Sequence, residues 1–225
     1  MNFDRMAPHY RWLEFLFAGG TLQRCRTAWL EKVAHCRSVL ITGEGDGRFL
    51  EECTKRLPEA DILCVDGSPG MLALAQKRTL TTGDGGARDG ARIIFQHAIL
   101  PGWEPPAGQF DLIVTHFFLD CFTSEDLRRV VESLAAAAKP DAIWLLADFR
   151  VPDRPPPARV RARMVIATAY AFFRIVTGLK VGRLTDPFPL LEAQGFRLER
   201  MSGRSWGMLY SSVWRRRRQA GPANG

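Results

Sequence analysis

The sequence predicts an α/β fold: a doubly wound, mostly parallel sheet with an antiparallel hairpin at its C-terminal edge. Two observations carry this. Short apolar runs alternate with segments of helical periodicity between residues 38 and 147, a spacing that requires crossover connections and strands covered on both faces. The first two runs stop abruptly at Gly43-Glu-Gly-Asp-Gly47 and Asp66-Gly-Ser-Pro69, the kind of loop at which an open parallel sheet binds ligands.

The elements follow in order. Phe3, Met6, Tyr10, Leu13 and Leu16 share one helical face, and Gly19-Gly20 separates that helix from a second, so residues 1–36 read as a helical cover. Ser38–Thr42 is the first strand, and the glycine turn leads into a helix marked by Phe49, Leu50, Cys53 and Leu57. Pro58 closes that helix. Asp61–Val65 is the second strand, after which Ser68 caps a helix starting at Pro69 and running to about Arg78. Residues 79–91, rich in Thr, Gly and Asp, form a loop before a third strand, Arg92–Gln96. Phe110–Thr115 is the fourth strand.

Thr123 or Ser124 caps the next helix, which buries Leu127, Val130, Val131 and Leu134 and ends near Pro140. Ala142–Ala147 is the fifth strand. Pro152–Pro157 introduces a helix from Ala158 to Gly178, making residues 152–184 a helical insertion between strands. Phe196–Met201 and Met208–Trp214 form the final hairpin. Residues 1–214 thus read as one domain and 215–225 as a basic, disordered tail.

Composition bounds the rest. At 225 residues, 46% hydrophobic and 24% charged, the chain is an ordinary single globular domain. Its five cysteines are odd in number and lack metal-ligand spacing, which predicts buried thiols in a reducing, cytoplasmic compartment and no metal site. No secretory signal or bilayer-length apolar run is visible. The net charge is +7, but four of those charges sit in Arg215–Arg218, a run read as a solvated tail or as an anchor to anionic lipid or RNA.

Chemistry is expected just after each strand. At Gly43-x-Gly-x-Gly47 the missing Cβ atoms let backbone approach a ligand, and the following helix offers N–H groups and a positive dipole end; the alternative is a purely structural tight turn. Asp66 lies 19 residues past Gly47 at the tip of the second strand. A carboxylate there accepts hydrogen bonds from both hydroxyls of an adenosine ribose. Its alternative reading, a helix-capping acid, is weakened by Ser68.

Val39-Leu-Ile-Thr-Gly-Glu-Gly-Asp-Gly47, Cys64-Val-Asp-Gly-Ser-Pro-Gly-Met71 and the strand-opening Phe110-Asp111 together resemble the nucleotide-binding signature of class I S-adenosylmethionine-dependent methyltransferases, whose Rossmann-like sheet has seven strands. Phe3-Asp-Arg-Met-Ala-Pro-His-Tyr10 resembles the opening segment of the ubiquinone and menaquinone C-methyltransferases. The resemblance is strong from 38 to 148 and loose beyond. It implies S-adenosyl-L-methionine as cofactor, with Gly43, Glu44, Gly45, Asp46 and Gly47 along its amino acid portion and Asp66 on its ribose. Gly67, Ser68 and Met71 would border the adenine, Thr115 would complete the set, and Tyr10 would close the site.

The sequence departs from that family pattern twice. Ile41 stands where relatives carry an acid for the cofactor's ammonium, leaving Glu44 or Asp46 as substitutes. The loop Gln96-His97-Ala98-Ile99 lacks the acid usually near the adenine, leaving backbone or His97 to hold it.

Methyl transfer from a sulfonium is governed by positioning, with a base needed only where the acceptor loses a proton. His116, after the fourth strand, is a candidate to orient or deprotonate an acceptor hydroxyl, and equally a structural histidine. Asp120 is the second candidate, alternatively a helix cap or an arginine partner. No Asn-Pro-Pro-Tyr or Asp-Pro-Pro-Tyr loop follows the fourth strand, which favours carbon or oxygen of a small apolar acceptor, a quinone precursor or secondary metabolite, over nucleic acid. Met164, Tyr170, Phe172 and Phe173 mark the insertion helix as a lid for a lipophilic acceptor, or as core packing. Three competing readings stay open: an RNA methyltransferase, a non-catalytic adenosyl-binding protein, and a nicotinamide oxidoreductase. The last lacks its G-x-G-x-x-G spacing and a Tyr-x-x-x-Lys pair.

Overall fold

The computed structural model describes residues 20–82, 92–177 and 184–217. Its central strand, β1 (Ser38–Thr42), pairs in parallel with β2 (Asp61–Asp66) on one side and β4 (Phe110–His116) on the other. β3 (Ile93–His97) continues the sheet beyond β2, and β5 (Ala138–Phe149) continues it beyond β4, both in parallel. β7 (Leu209–Arg216) and the edge strand β6 (Phe196–Arg204) then run antiparallel, giving the order β3-β2-β1-β4-β5-β7-β6. The chain reverses its direction of winding between β1 and β4, so their carboxyl ends flank the switch point where ligands bind in such sheets.

Six helices accompany the strands among the described residues: α1 (Gly20–Arg26), α2 (Arg48–Arg56), α3 (Pro69–Thr82), α4 (Ser124–Ala137), α5 (Pro156–Thr177) and α6 (Phe188–Ala193). Alternation along the strands explains why both sheet faces are dry. Val39, Ile41, Ile62, Cys64, Leu112, Val114, Ile143 and Leu145 pack with Phe49, Leu50 and Cys53 of α2. Leu40, Ile113, Trp144 and Leu146 pack with Leu127, Val130, Val131 and Leu134 of α4, whose cap is the Thr123 hydroxyl accepting from the Asp126 N–H. Burial on both faces is what makes the central strands read as unbroken apolar runs.

The expected architecture is present, with shifted boundaries. β5 begins at Ala138 rather than Ala142, because Phe110 pairs with Ala138 and draws the chain into the ladder ahead of Pro140; Asp141 absorbs the irregularity at φ 65°. α3 continues four residues past Arg78. Arg215 and Arg216 belong to β7 and not to a tail. Arg215 pairs with Glu199 at 2.6 Å, while Arg216 donates to the carbonyls of Ala135 and Ala138 at the end of α4, where a cation meets the negative end of the dipole. The Arg217 N–H donates to the Gly195 carbonyl at 3.0 Å, and the remainder of the expected tail, 218–225, lies outside the described residues, as do Phe3–Leu16 of the cover and residues 178–183 of the insertion. The second cover helix is present as α1, followed by a single 3-10 turn at Leu30–Val33.

All five cysteines are free thiols, four of them buried and Cys121 partly so. Among the described residues no helix is long and apolar enough to cross a membrane. Thr115, expected at the cofactor, is fully buried, and its hydroxyl accepts the indole N–H of Trp144 at 2.8 Å. That bond fixes the largest side chain between β5 and α4. Replacing Thr115 by Val leaves a buried indole donor unpaired and is expected to lower unfolding free energy by about 1–3 kcal/mol, read from the urea midpoint at unchanged slope.

Candidate functional site

The glycine turn after β1 is built from left-handed backbone, with φ of 68° at Gly43, 72° at Gly45 and 86° at Gly47. Only glycine adopts such a run without strain. Close packing adds a second reason at its two ends. A Cβ on Gly43 would stand 2.2 Å from Cδ2 of Phe118, and one on Gly47 would stand 2.6 Å from Cα of Ala75 in α3. Gly43 and Gly45 keep partial exposure, whereas Gly47 is buried beneath α3.

Two expected ligand contacts are used by the fold itself. The Glu44 carboxylate accepts the N–H groups of Phe49 and Leu50 at 3.0 and 2.9 Å, so it caps α2 from a buried position, 8% exposed. The helix start is therefore occupied by the chain's own acid, and an incoming carboxylate or phosphate does not find those donors open. Asp46 is 5% exposed and binds Arg48 at 3.0 Å and Arg78 at 2.8 Å through Oδ2, tying the turn to α3. Its buried Oδ1 has no partner. Neither acid reaches outward to an ammonium group.

Asp66 stands at the end of β2, between the two loops. Its Oδ2 accepts the Gly45 N–H at 3.0 Å and its Oδ1 accepts the Ser68 N–H at 2.9 Å, so one carboxylate joins the glycine turn to the loop after β2. Each carboxylate oxygen is able to accept a second bond, and Asp66 is partly exposed, so the chemistry fits two vicinal hydroxyls. Beside it, Gly67 and Gln96 are partly exposed and His97 is exposed. His97 Nε2 lies 3.2 Å from the Gly67 carbonyl, and the Ala98 N–H donates to the Asp66 carbonyl at 3.2 Å. Ile99, 60% exposed, adds an apolar edge beside Gly67. Ser68 and Met71 are buried instead, the Ser68 hydroxyl accepting the Met71 N–H as the cap of α3. Tyr10 lies outside the described residues.

His116 does not meet the requirements of a base near neutral pH. It is 7% exposed, packs edge-on against Phe49 of α2 with ring centroids 4.5 Å apart, and leaves Nδ1 without a partner. Burial, helped by the nearby Arg26 charge, pushes its pKa down to about 3. The sequence shows that it follows β4 but not which face it takes, and period-two alternation puts it with Leu112 and Val114 against α2. Phe117 next to it has φ 53°, a strained turn that sends Phe118 back across Gly43.

Asp120 is better placed. It lies in the 3-10 turn Leu119–Cys121 after β4, and its N–H donates to Oδ2 of Asp148 near the end of β5 at 3.2 Å. The Tyr170 hydroxyl of α5 donates to the Asp120 carbonyl at 3.3 Å, and the Cys121 thiol lies 3.6 Å from Asp120 Oδ1. Burial raises the Asp120 carboxyl to about 6, and burial plus repulsion from Asp120 raises Asp148 further. Burial first, and then the Asp120 and Asp148 charges, raise the Cys121 thiol. Asp148 was missed by the sequence reading. The rule that selected Asp66, an acid at the tip of an apolar strand, also selects it.

Residues 39–141 match the family model of a methyltransferase domain. Over 88 residues the chain is 36% identical to release factor glutamine methyltransferase from Geobacter sulfurreducens, a match covering 39% of this chain and 28% of that protein. An O-methyltransferase family protein from Burkholderia thailandensis superposes with a TM-score of 0.67 at 18% identity, over 94% of this chain and 59% of that one. The N-methyltransferase NodS from Bradyrhizobium japonicum, solved with S-adenosyl-L-homocysteine, gives 0.60 at 15% identity over 87% and 88% of the two chains. The chain spans less than two thirds of the first two proteins, 28% and 59% of their lengths. The fold is the Rossmann-like methyltransferase fold.

Burial raises the Glu44 carboxyl from 4.5 to about 8. A raised folded value contributes stability that is complete below the unfolded value and lost as pH climbs through the folded one. His116 acts oppositely, but only below its unfolded value near 6.5. Unfolding free energy is therefore expected to decline between pH 6.5 and 8.5. Glu44→Gln keeps an oxygen for Phe49 and Leu50 and should flatten that decline; identical slopes for the two proteins in urea titrations would contradict the assignment.

Proposed function

We propose that this chain transfers a methyl group from S-adenosyl-L-methionine to a hydroxyl oxygen of a small, largely apolar molecule. The observation that carries the cofactor reading is the Asp66 carboxylate, held at the meeting point of the Gly43–Gly47 turn and the Gly67-Ser68 loop. The cofactor supplies a methyl group on a sulfonium already activated for in-line displacement. Asp66 and the backbone at Gly43 and Gly45 would bind and orient it, with His97, Ala98 and Ile99 bordering the adenine.

The oxygen acceptor is read from Asp120. A carboxylate that burial raises to about 6 accepts a hydroxyl proton at neutral pH, and Asp148 holds the Asp120 backbone in place. The Tyr170 contact brings α5 over this corner, and Ala162 and Ile166 on its inner side pack against Met208, Phe149 and Val151. An apolar wall beside two acids suits a hydroxylated, lipophilic acceptor better than a phosphate-rich one. The narrower likeness to quinone C-methyltransferases rests on residues 3–10, outside the described part of the chain.

Calorimetric titration tests the cofactor directly. Asp66→Ala should weaken binding of S-adenosylmethionine and its demethylated product by about 1–3 kcal/mol, with thermal melting recorded alongside to separate lost fold from lost contact. Unchanged affinity would place the ribose elsewhere. For any hydroxyl acceptor that turns over, kcat/KM should rise with pH through about 6. Asp120→Asn should remove that limb and about two to four orders of magnitude of rate, while the corresponding His116→Gln variant should keep the limb.

A further inference from the structure

We propose that the outward face of α5, together with the β6–β7 turn, is a docking surface for an anionic lipid bilayer. The proposal stands on exposed residues alone and does not depend on the methyl-transfer reading.

α5 buries Ala158, Ala162, Ile166 and Ala169, which recur at helical spacing and face the sheet. The opposite side repeats the pattern outward. Val160 is 58% exposed and Met164 67% exposed, and Ala167 and Ala171 continue their line at i+7 and i+11 from Val160. Arg163 and Arg174 flank this stripe on one side and Arg161 flanks it on the other, at the angles set by 3.6 residues per turn. All three arginines are exposed, and none forms an ion pair among the described residues. The helix contains no Asp or Glu.

The neighbouring turn extends the same surface. Ser205, Trp206 and Gly207 all have positive φ, at 50°, 59° and 83°, a strained arrangement that leaves the Trp206 ring 68% exposed. Arg150 holds the turn by donating to the Gly207 carbonyl at 2.9 Å, and the Arg161 guanidinium lies 5.7 Å from the Trp206 ring centroid. An exposed Trp, Met and Val bordered by unpaired guanidiniums matches the headgroup region of an anionic membrane, where apolar groups enter the acyl boundary and arginines reach phosphates. RNA offers phosphates but no acyl layer for a methionine and valine stripe, so lipid is the occupant the composition favours. The arginine run at 215–218 contributes less than its charge suggests, because Arg215 and Arg216 are engaged within the sheet.

Co-sedimentation with vesicles tests this. The intact protein should pellet with vesicles of phosphatidylcholine containing a third phosphatidylglycerol, release at high salt, and stay in solution with phosphatidylcholine alone. Arg161→Gln with Arg163→Gln should reduce partitioning about 30-fold, from roughly a fivefold loss per removed charge. Met164→Glu should reduce it as well. All these positions are exposed, so melting temperature and binding of S-adenosylhomocysteine should be unchanged, which separates this outcome from failure of the cofactor reading. Equal binding to neutral and anionic vesicles, binding unaffected by both variants, or capture of a random RNA without capture of vesicles would each overturn the proposal.

Discussion

One carboxylate joins the two loops on which the site depends. Asp66 sits at the end of β2, while the glycine turn sits at the end of the adjacent strand β1, and parallel pairing of Thr42 with Val65 brings both loops to the same edge of the sheet. Adjacency alone does not orient them. The paired bonds from Gly45 and Ser68 do so, and they hold the acid in a partly exposed position. In that partial exposure Asp66 contrasts with Glu44 and Asp46, which are buried.

That contrast organises the rest of the region. Glu44 and Asp46 flank Gly45 in the sequence but serve the scaffold, one capping α2 and the other bound to Arg48 and Arg78. Phe118 covers Gly43, and Ala75 covers Gly47. The turn is thus fixed from both ends, while Gly43 and Gly45 keep partial exposure beside Asp66. Rigid support of this kind lets a few exposed atoms recognise a ligand precisely enough for an in-line displacement. On the other side of the switch point, Asp120 and Asp148 form a second acidic corner, Asp120 raised by burial and Asp148 by burial and by the Asp120 charge.

Much of this was legible in the chain. Ser38–Thr42 is a strand to the residue, and the strand-end rule located both the glycine turn and Asp66, because period-two apolar runs and glycine breaks are local signals. Ser68 was legible as a cap for the same reason. Side-chain orientation was not. His116 and Thr115 are adjacent at the end of β4, yet one packs on Phe49 and the other accepts from Trp144, a distinction set by which helix covers each face. Glu44 looks like a ligand acid in sequence and becomes a helix cap only once the turn folds back over α2. Arg215 and Arg216 read as tail because the partners that engage them, Glu199 and the carbonyls of α4, are remote in sequence.

The account stands or falls on where an adenosyl ligand sits. A crystal structure of the protein with S-adenosyl-L-homocysteine should place both ribose hydroxyls within hydrogen-bonding distance of the Asp66 carboxylate, with the amino acid portion running along Gly43 and Gly45. Density for the ligand away from Asp66, with neither ribose hydroxyl reaching its carboxylate, would contradict it.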